Sequence, residues 1–447
     1  MRPIGWIGIV RLGLVQTALG AIVVLTTSAM NRIMVVEMAL PAVVPGLLVG
    51  LHYALQVLRP RWGYGSDQGG RRTPWIAGGM VVLALGGFIA SVGTAWMATR
   101  PLAGTMLCML AFLLIGTGVG ACGTNLLALL ATRVKPAHRA PAATIVWLMM
   151  IAGFIVTSAI GGQMLDPFSP SRLVAFTGAT CAISVIVTLL ALWGVEGSAT
   201  AAAAERERPV RETPFREALA EVWSEPQSRK FAIFIFVSML AYSAQDLILE
   251  PFAGHVFAMT PGQSTKLASI QHSGVFVGMI LVAIAGNLAR GTAFGSLKAW
   301  TVAGCLGSAA ALASLVLGAA VGPGWPIAAS VFALGFANGA YAVAAIGSMM
   351  GFAASGAESR EGTRMGLWGA AQAIAFGIGG FAGAAAVDIL RALLAAPAAA
   401  YGTVFALEAV MFLVAAVLAA RVTTAVGAAS TSKERRTFSL ATEPVGR

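Results

Sequence analysis

The sequence predicts an all-α integral membrane protein of twelve transmembrane helices in two six-helix halves. Three observations carry the prediction. Hydrophobic residues make up 58% of the 447 and charged residues 11%, with a mean hydropathy of +0.83, whereas about a quarter of a soluble domain is charged. Apolar runs of about 20 residues, long enough to cross a ~30 Å hydrocarbon core as helices, recur along the whole chain, without the ~10-residue alternation of barrel strands. The apolar runs stop once, between residues 195 and 229, with six on either side.

In chain order the spans are expected at about 11–34, 40–58, 73–95, 102–131, 141–163, 172–194, 230–250, 267–289, 296–319, 325–350, 365–388 and 399–420. The N-terminus MRPIGWIGIVRLGLVQ starts basic, but its apolar run is longer than a signal-peptide core and lacks a small-x-small cleavage site, so it reads as a retained first helix. The organisation is then residues 1–194 as the first half, 195–229 as a linker, 230–421 as the second half and 422–447 as a tail. Within the linker, Thr213 and Pro214 form a helix start, and Phe215, Leu219, Val222 and Trp223 share one face of a short amphipathic helix at the membrane surface.

An even number of spans puts both termini on one side. Loops on that side hold 24 of the 29 Lys and Arg residues, and the opposite loops hold only Arg32, Arg100, Arg172, Lys266 and Arg391. The positive-inside rule therefore predicts cytoplasmic termini, as in a multi-pass protein of a bacterial inner membrane. The net charge of +11 reads as this orientation signal and as attraction to anionic lipid, with no call for nucleic acid. Cys108, Cys122, Cys181 and Cys305 all fall inside spans with no CxxC pair or metal spacing, and read as small packing residues. GTGVGACG (116–123) imitates a dinucleotide loop, but it lies inside a span with no preceding strand, so its glycines are for helix packing and no nucleotide is expected.

The halves read as parallel repeats. SAMNRIMVVEMALP in span 1 aligns with SAQDLILEP in span 7, Ser28 over Ser243 and Asn31 over Asp246, each segment running through a glutamate to a proline. Between spans 2 and 3, GYGSDQGGRRTPW places Gly63, Asp67, Gly70, Arg71 and Arg72 in the pattern of the major facilitator superfamily, with Gln68 where a basic residue is usual. The resemblance implies the two-half facilitator fold and a cytoplasmic latch: small glycines let helix ends approach, the acid faces a helix N-terminus and the arginines hold the headgroups.

Ionisable residues inside spans are costly and usually face the interior or a partner. Asp246 and Glu250, four apart on one helical face, lie toward the end of span 7 remote from the termini. They are candidates either for an ion pair across the halves, with Arg32 and Glu37, or for the polar rim of a binding pocket. His52 in span 2 and His272 in span 8 occupy the second helix of each half, within about a turn of one another in depth. Neutral imidazole is a good axial ligand for the magnesium of a chlorin ring, although a histidine inside a span is more often a hydrogen-bonded bundle residue. His255, just past Pro251, is expected outside the membrane, and His138 in the loop before span 5.

The segments MNRIMVVE (30–37), LHYALQVLRPRWGYGSD (51–67), GRRTPW (70–75), PFREALAEVW (214–223) and AQDLILEPFAGHVF (244–257) together resemble the PucC/LhaA family of facilitator-like proteins from photosynthetic bacteria. The likeness runs from about residue 10 to 421 and is nearest the branch encoded among bacteriochlorophyll biosynthesis genes. It implies a non-catalytic factor that binds bacteriochlorophyll or a prenylated precursor and passes it to biosynthetic enzymes (synthase or reductase) or light-harvesting polypeptides in the photosynthetic membrane. On that reading His52, His272, Asp246 and Glu250 are the pigment-binding candidates, with His52 or His272 on the pigment magnesium and no metal held by the protein itself. A prenyltransferase would need paired aspartate-rich motifs to hold diphosphate through magnesium, and the chain has none. Two alternatives stay open: a proton-coupled or facilitative transporter of a small solute, and a pigment-free scaffold that uses the linker helix and tail as contact surfaces.

Overall fold

In a computed structural model, residues 4–58, 71–135, 139–196, 223–288, 292, 295–355, 361–394 and 396–440 are described. Gly63, Asp67 and Gly70 of the expected latch, His138 and most of the linker helix lie outside them.

Among the described residues twelve helices of thirteen residues or more follow in order: α1 (Trp6–Glu37), α2 (Val43–Leu55), α3 (Thr73–Met97), α4 (Pro101–Arg133), α5 (Arg139–Met164), α6 (Pro170–Leu192), α7 (Pro226–Phe257), α8 (Pro261–Leu288), α9 (Leu297–Val321), α10 (Ile327–Ser355), α11 (Glu361–Leu394) and α12 (Pro397–Leu440). Eleven of these contain a stretch long and apolar enough to cross a membrane, and α2 is the shorter apolar one. Helices α3, α4, α6, α7, α8 and α12 each open on a Pro at or beside the first position, where its missing N–H costs nothing and its fixed φ suits the helix. Two ends of the bundle are distinguished below. The terminal end carries the N-terminus and the loop from α6 to α7; the distal end carries the turns α1–α2, α5–α6, α7–α8 and α11–α12.

Packing obeys a pseudo-twofold rule in which each helix corresponds to the one six places on. In the first half α1 packs on α5 and α6, α2 on α4, and α3 on α4 and α6; in the second, α7 packs on α11 and α12, α8 on α10, and α9 on α10 and α12. The halves meet along two equivalent seams, α5 with α8 and α11 with α2. This is the arrangement of parallel repeats about an axis along the membrane normal. Each half encloses its own apolar core, one centred on Leu12, Ile22, Phe112 and Ile115, the other on Phe234, Phe252, Phe405 and Phe412. The run 116–123 does pack helices: a Cβ on Gly116 would come 2.6 Å from the His52 carbonyl and one on Gly118 2.5 Å from the Leu83 nitrogen. The four cysteines are free and buried.

Most boundaries differ from the sequence expectation by a few residues, and three of the differences matter below. Helix α7 does not stop before Pro251 but continues to Phe257, so His255 lies inside it, with Nδ1 2.9 Å from the Tyr401 hydroxyl. Helix α1 extends to Glu37 through two π-helical stretches, Leu25–Ala29 and Ile33–Glu37, with one α turn between. Helix α12 runs to Leu440, beyond the expected end at 420.

Candidate functional site

The site begins with the proline that α7 tolerates. A proline cannot donate to the carbonyl four residues back, and in a bilayer that carbonyl needs another donor. For Pro251 the orphan is Leu247 O, and the Asn31 amide of α1 donates to it at 2.6 Å. Asn31 is buried, so a side chain of one half completes the backbone of the other.

Two further bonds join α1 to α7. The Ser28 hydroxyl donates to Glu250 Oε1, whose second oxygen accepts from Ser264 Oγ on α8 at 3.3 Å. Arg32, 1% exposed, sends Nη1 to Glu37 at 2.5 Å and Nη2 to Met259 O at 2.5 Å, just past the end of α7. A cation there complements the exposed carbonyls of a helix C-terminus. Gly254 makes room, since a Cβ on it would sit 3.1 Å from Arg32 Nη2 and 2.9 Å from Val36. The π turns on either side of Met30–Arg32 re-aim these side chains, a frequent use of such turns.

Two carboxylates lock the same end, one on each seam. Asp388 near the end of α11 accepts from Ala42 N at 2.9 Å and Val43 N at 2.7 Å, at the N-terminus of α2. Asp166, just after α5, accepts from Thr260 Oγ1 at 2.7 Å and Gly262 N at 3.2 Å, at the N-terminus of α8. Under the pseudo-twofold rule α5 maps on α11 and α8 on α2, so the two locks are copies of one device: an anion from one half on the positive end of a helix of the other.

The expected candidates thus separate. Arg32 and Glu37 pair within their own half. The partner of Arg32 is not Asp246 or Glu250, although Glu250 feels its charge. Glu250 joins the distal clamp and Asp246 does not: residues 243–245 and 247–250 are buried while Asp246 is exposed. It shares a face of α7 with Tyr242, and Tyr242 and Tyr53 of α2 both pack on Phe376 of α11, with ring centroids 5.8 and 5.5 Å apart. Asp246 therefore belongs to the interior surface between the halves.

The histidines also differ. His52 is 1% exposed, and its Nε2 lies 2.9 Å from the Gln56 amide. A magnesium on that nitrogen requires this contact to break and the helices to part. His272 is half-buried on the α5–α8 seam, edge-on to Phe154 at 4.9 Å, and its Nδ1 is 2.7 Å from Ala268 O. A carbonyl only accepts, so Nδ1 carries the proton and Nε2 presents its lone pair. This is the outer-shell arrangement that orients a metal-ligating histidine.

Of the expected latch, Arg72 and Thr73 are placed by a residue the motif does not contain. Glu196 accepts from Arg72 N at 2.9 Å and Thr73 N at 2.7 Å, and from the Thr73 hydroxyl. Arg71 lies beside them at the start of α3. The sequence reading missed Glu196, Asp166, Asp388 and the mid-span Glu408. Glu408 carries the same signal as Asp246, an acid inside an apolar run, and was legible; the three capping acids look like ordinary loop or span-end residues until their helix N-termini are known.

A family model described as PUCC protein matches residues 29–426. The chain is 52% identical over 431 residues to the "Bacteriochlorophyll synthase 44.5 kDa chain" of Rhodobacter capsulatus, covering 95% of this chain and 97% of that one. It is 28% identical to Protein PucC of Rhodobacter capsulatus over 91% of this chain and 90% of that protein, and 30% identical to Protein PucC of Cereibacter sphaeroides over 90% and 88%. Among solved structures, a bacterial homologue of the human lysosomal transporter Spinster, in an inward-facing and occupied conformation, superposes with a TM-score of 0.67 at 17% identity, covering 93% of this chain and 96% of that one. That likeness concerns the fold, which is the major facilitator fold. On the family match and the 52% relative together, the chain belongs to the PucC family.

Proposed function

We propose that the chain is a non-catalytic membrane factor that binds bacteriochlorophyll or a prenylated precursor and hands it to biosynthetic enzymes or light-harvesting polypeptides. The observation that carries this reading is His272: a neutral imidazole, its tautomer set by Ala268 O, with Nε2 available on the seam where the halves meet. The surroundings suit a flat apolar ring, with Phe154, Trp147, Met150, Phe276 and Met279 gathered on the same seam. A chlorin supplies a magnesium with one open axial position, and His272 fits that demand where His52 does not. Phe154 then holds the imidazole plane, and the carbonyl of Ala268 holds its proton away from the metal side. The names of the relatives support the cargo, and the lack of aspartate-rich diphosphate motifs supports a handler and not a synthase.

In this reading the protein sits in the inner, intracytoplasmic membrane with the terminal end in the cytoplasm, which the Lys and Arg distribution supports. A second reading, facilitated movement of pigment or a small solute, is favoured by the polar clamps gathered at one end of a two-half bundle. The test is purification from a pigment-producing host. Far-red absorbance is expected to co-purify, and His272→Leu is expected to shift or remove it while His52→Leu leaves it in place. Absence of pigment together with absence of any co-purifying antenna or biosynthetic protein overturns the proposal.

A further inference from the structure

The core of the second half contains a polar layer that neither the clamp nor the pigment reading uses. On α7, Phe234, Ser238, Gln245 and Phe252 fall on one face at helical spacing; on α12, Tyr401, Phe405, Glu408 and Phe412 do the same. The two stripes meet at two levels. Toward the distal end, Phe252 packs on Tyr401 and Phe405 at 5.6 and 5.0 Å. Toward the terminal end, Tyr341 of α10 packs on Phe234 and Phe412, both at 6.2 Å, and its hydroxyl lies 2.6 Å from Ser238 Oγ. Gln245 is midway between Ser238 and Phe252, and Glu408 lies between Phe405 and Phe412, so the two share one level. Asn338, a turn of α10 from Tyr341 on its distal side, reaches this level with Oδ1 accepting from Ser308 of α9 at 2.7 Å.

Gln245 and Asn338 are 0% exposed and Glu408 is 2% exposed. Both amide atoms of Gln245, both carboxyl oxygens of Glu408 and Nδ2 of Asn338 have no hydrogen-bond partner among the described residues. Unmet polar atoms at this depth are rare, and several gathered in one layer mark a functional place in the fold. The titratable neighbours are Asp246 and Tyr242 on α7, Cys305 on α9, Tyr341 on α10 and Tyr401 on α12; the charges of Asp388 and Arg391 on α11 act at Tyr401. No lysine or arginine among these faces Glu408, and the field of Asp246 reaches it.

We infer that Glu408, with Gln245 and Asn338, is a proton-binding site in the core of the second half, exchanging with the interior surface through Asp246. None of these unmet atoms is paired with another in the structure; as a neutral carboxyl, Glu408 needs no cation to close the layer, because its O–H can turn to the Gln245 carbonyl and its other oxygen to an amide N–H of Gln245 or Asn338. On release the proton moves toward the Asp246 carboxylate of α7, next to Gln245 in sequence and about 100° round that helix, and from there to water between the halves; Glu408 is left ionised. The site thus takes a proton and no other cargo, and it is independent of whether pigment is bound.

The test uses the full chain purified from a host without bacteriochlorophyll. The infrared difference spectrum between acidic and alkaline buffer is expected to contain a protonated-carboxyl stretching band that Glu408→Gln removes. Gln245→Leu, which changes neither acid, is expected to shift that band upward by removing its hydrogen-bond acceptor. Asp246→Asn is expected to slow its exchange into deuterated buffer. A band that survives Glu408→Gln, or one that Gln245→Leu does not move, overturns the inference, as does the absence of any pH-dependent carboxyl band. Sodium that raises the melting temperature of the parent but not of Glu408→Gln also overturns it, because the layer would then be a metal-cation site.

Discussion

Helices α1 and α7 begin from the same motif and end as opposites. Across the distal clamp, α1 supplies only donors, the Ser28 hydroxyl, the Asn31 amide and the Arg32 guanidinium; α7 and the turn after it supply only acceptors, Glu250, Leu247 O and Met259 O. The proline of α1 ends its segment at a turn after the helix, whereas Pro251 stays inside α7 and creates the very acceptor that Asn31 meets. Two copies of one repeat have become complementary. Each half therefore recognises the other half better than a second copy of itself, because two α1 motifs face to face would leave donors opposed to donors.

The comparison can be broken most severely at Arg32. Replacing Arg32 with Met leaves the exposed Glu37 without its cation and the end of α7 without its donor, a loss of about 1.5–3 kcal/mol on the scale of hydrogen bonds to a charged group; a fall in melting temperature in detergent is the measurement. Next is Asn31→Leu, expected to cost about 1–3 kcal/mol by leaving Leu247 O unmet. Pro251→Ala returns a backbone donor to that carbonyl, so the Asn31→Leu/Pro251→Ala double variant is expected to recover most of the loss, and simple additivity would show that the bond does not bridge the two repeats. Ser28→Ala removes one donor from Glu250 while Ser264 remains, at about 1 kcal/mol, read by the same melting curves. Smallest are Asp166→Asn and Asp388→Asn, each about 0.3–1 kcal/mol for a charge at a helix N-terminus. As copies of one device, Asp166→Asn is expected to raise labelling of a cysteine placed in the α7–α8 turn, and Asp388→Asn that of one placed in the α1–α2 turn, by similar factors; unequal factors would show that the seams are not equivalent.

Much of the architecture was legible because membrane solvent imposes a coarse rule. All twelve spans show as apolar runs, the second of which folds into the shorter helix α2, and the linker shows as their interruption. The repeat was legible in two short motifs, and Asp246 and Glu250 stood out as acids in an apolar helix. What could not be read was their separation into different roles. One turn of helix, about 100° per residue summed over four, leaves Glu250 against Ser28 and Asp246 open to the interior, a matter of small rotations against α1 that no one-dimensional pattern encodes. The expected ion pair of Arg32 with those acids went to Glu37 for the same reason: the π turns of α1 bring Arg32 back toward its own strand of residues.

The sequence by itself determined a two-half helical membrane bundle, its orientation bias and its family resemblance, since these follow from hydrophobic length, charge distribution and motif, all local properties of the chain. Only the tertiary structure decided which backbone carbonyl Pro251 leaves open and who meets it, which histidine keeps a nitrogen available, and that Glu408, Gln245 and Asn338 share one layer. Those facts depend on the register between helices far apart in sequence, and that register is set by close packing of small residues across the seams, not by any signal along the chain.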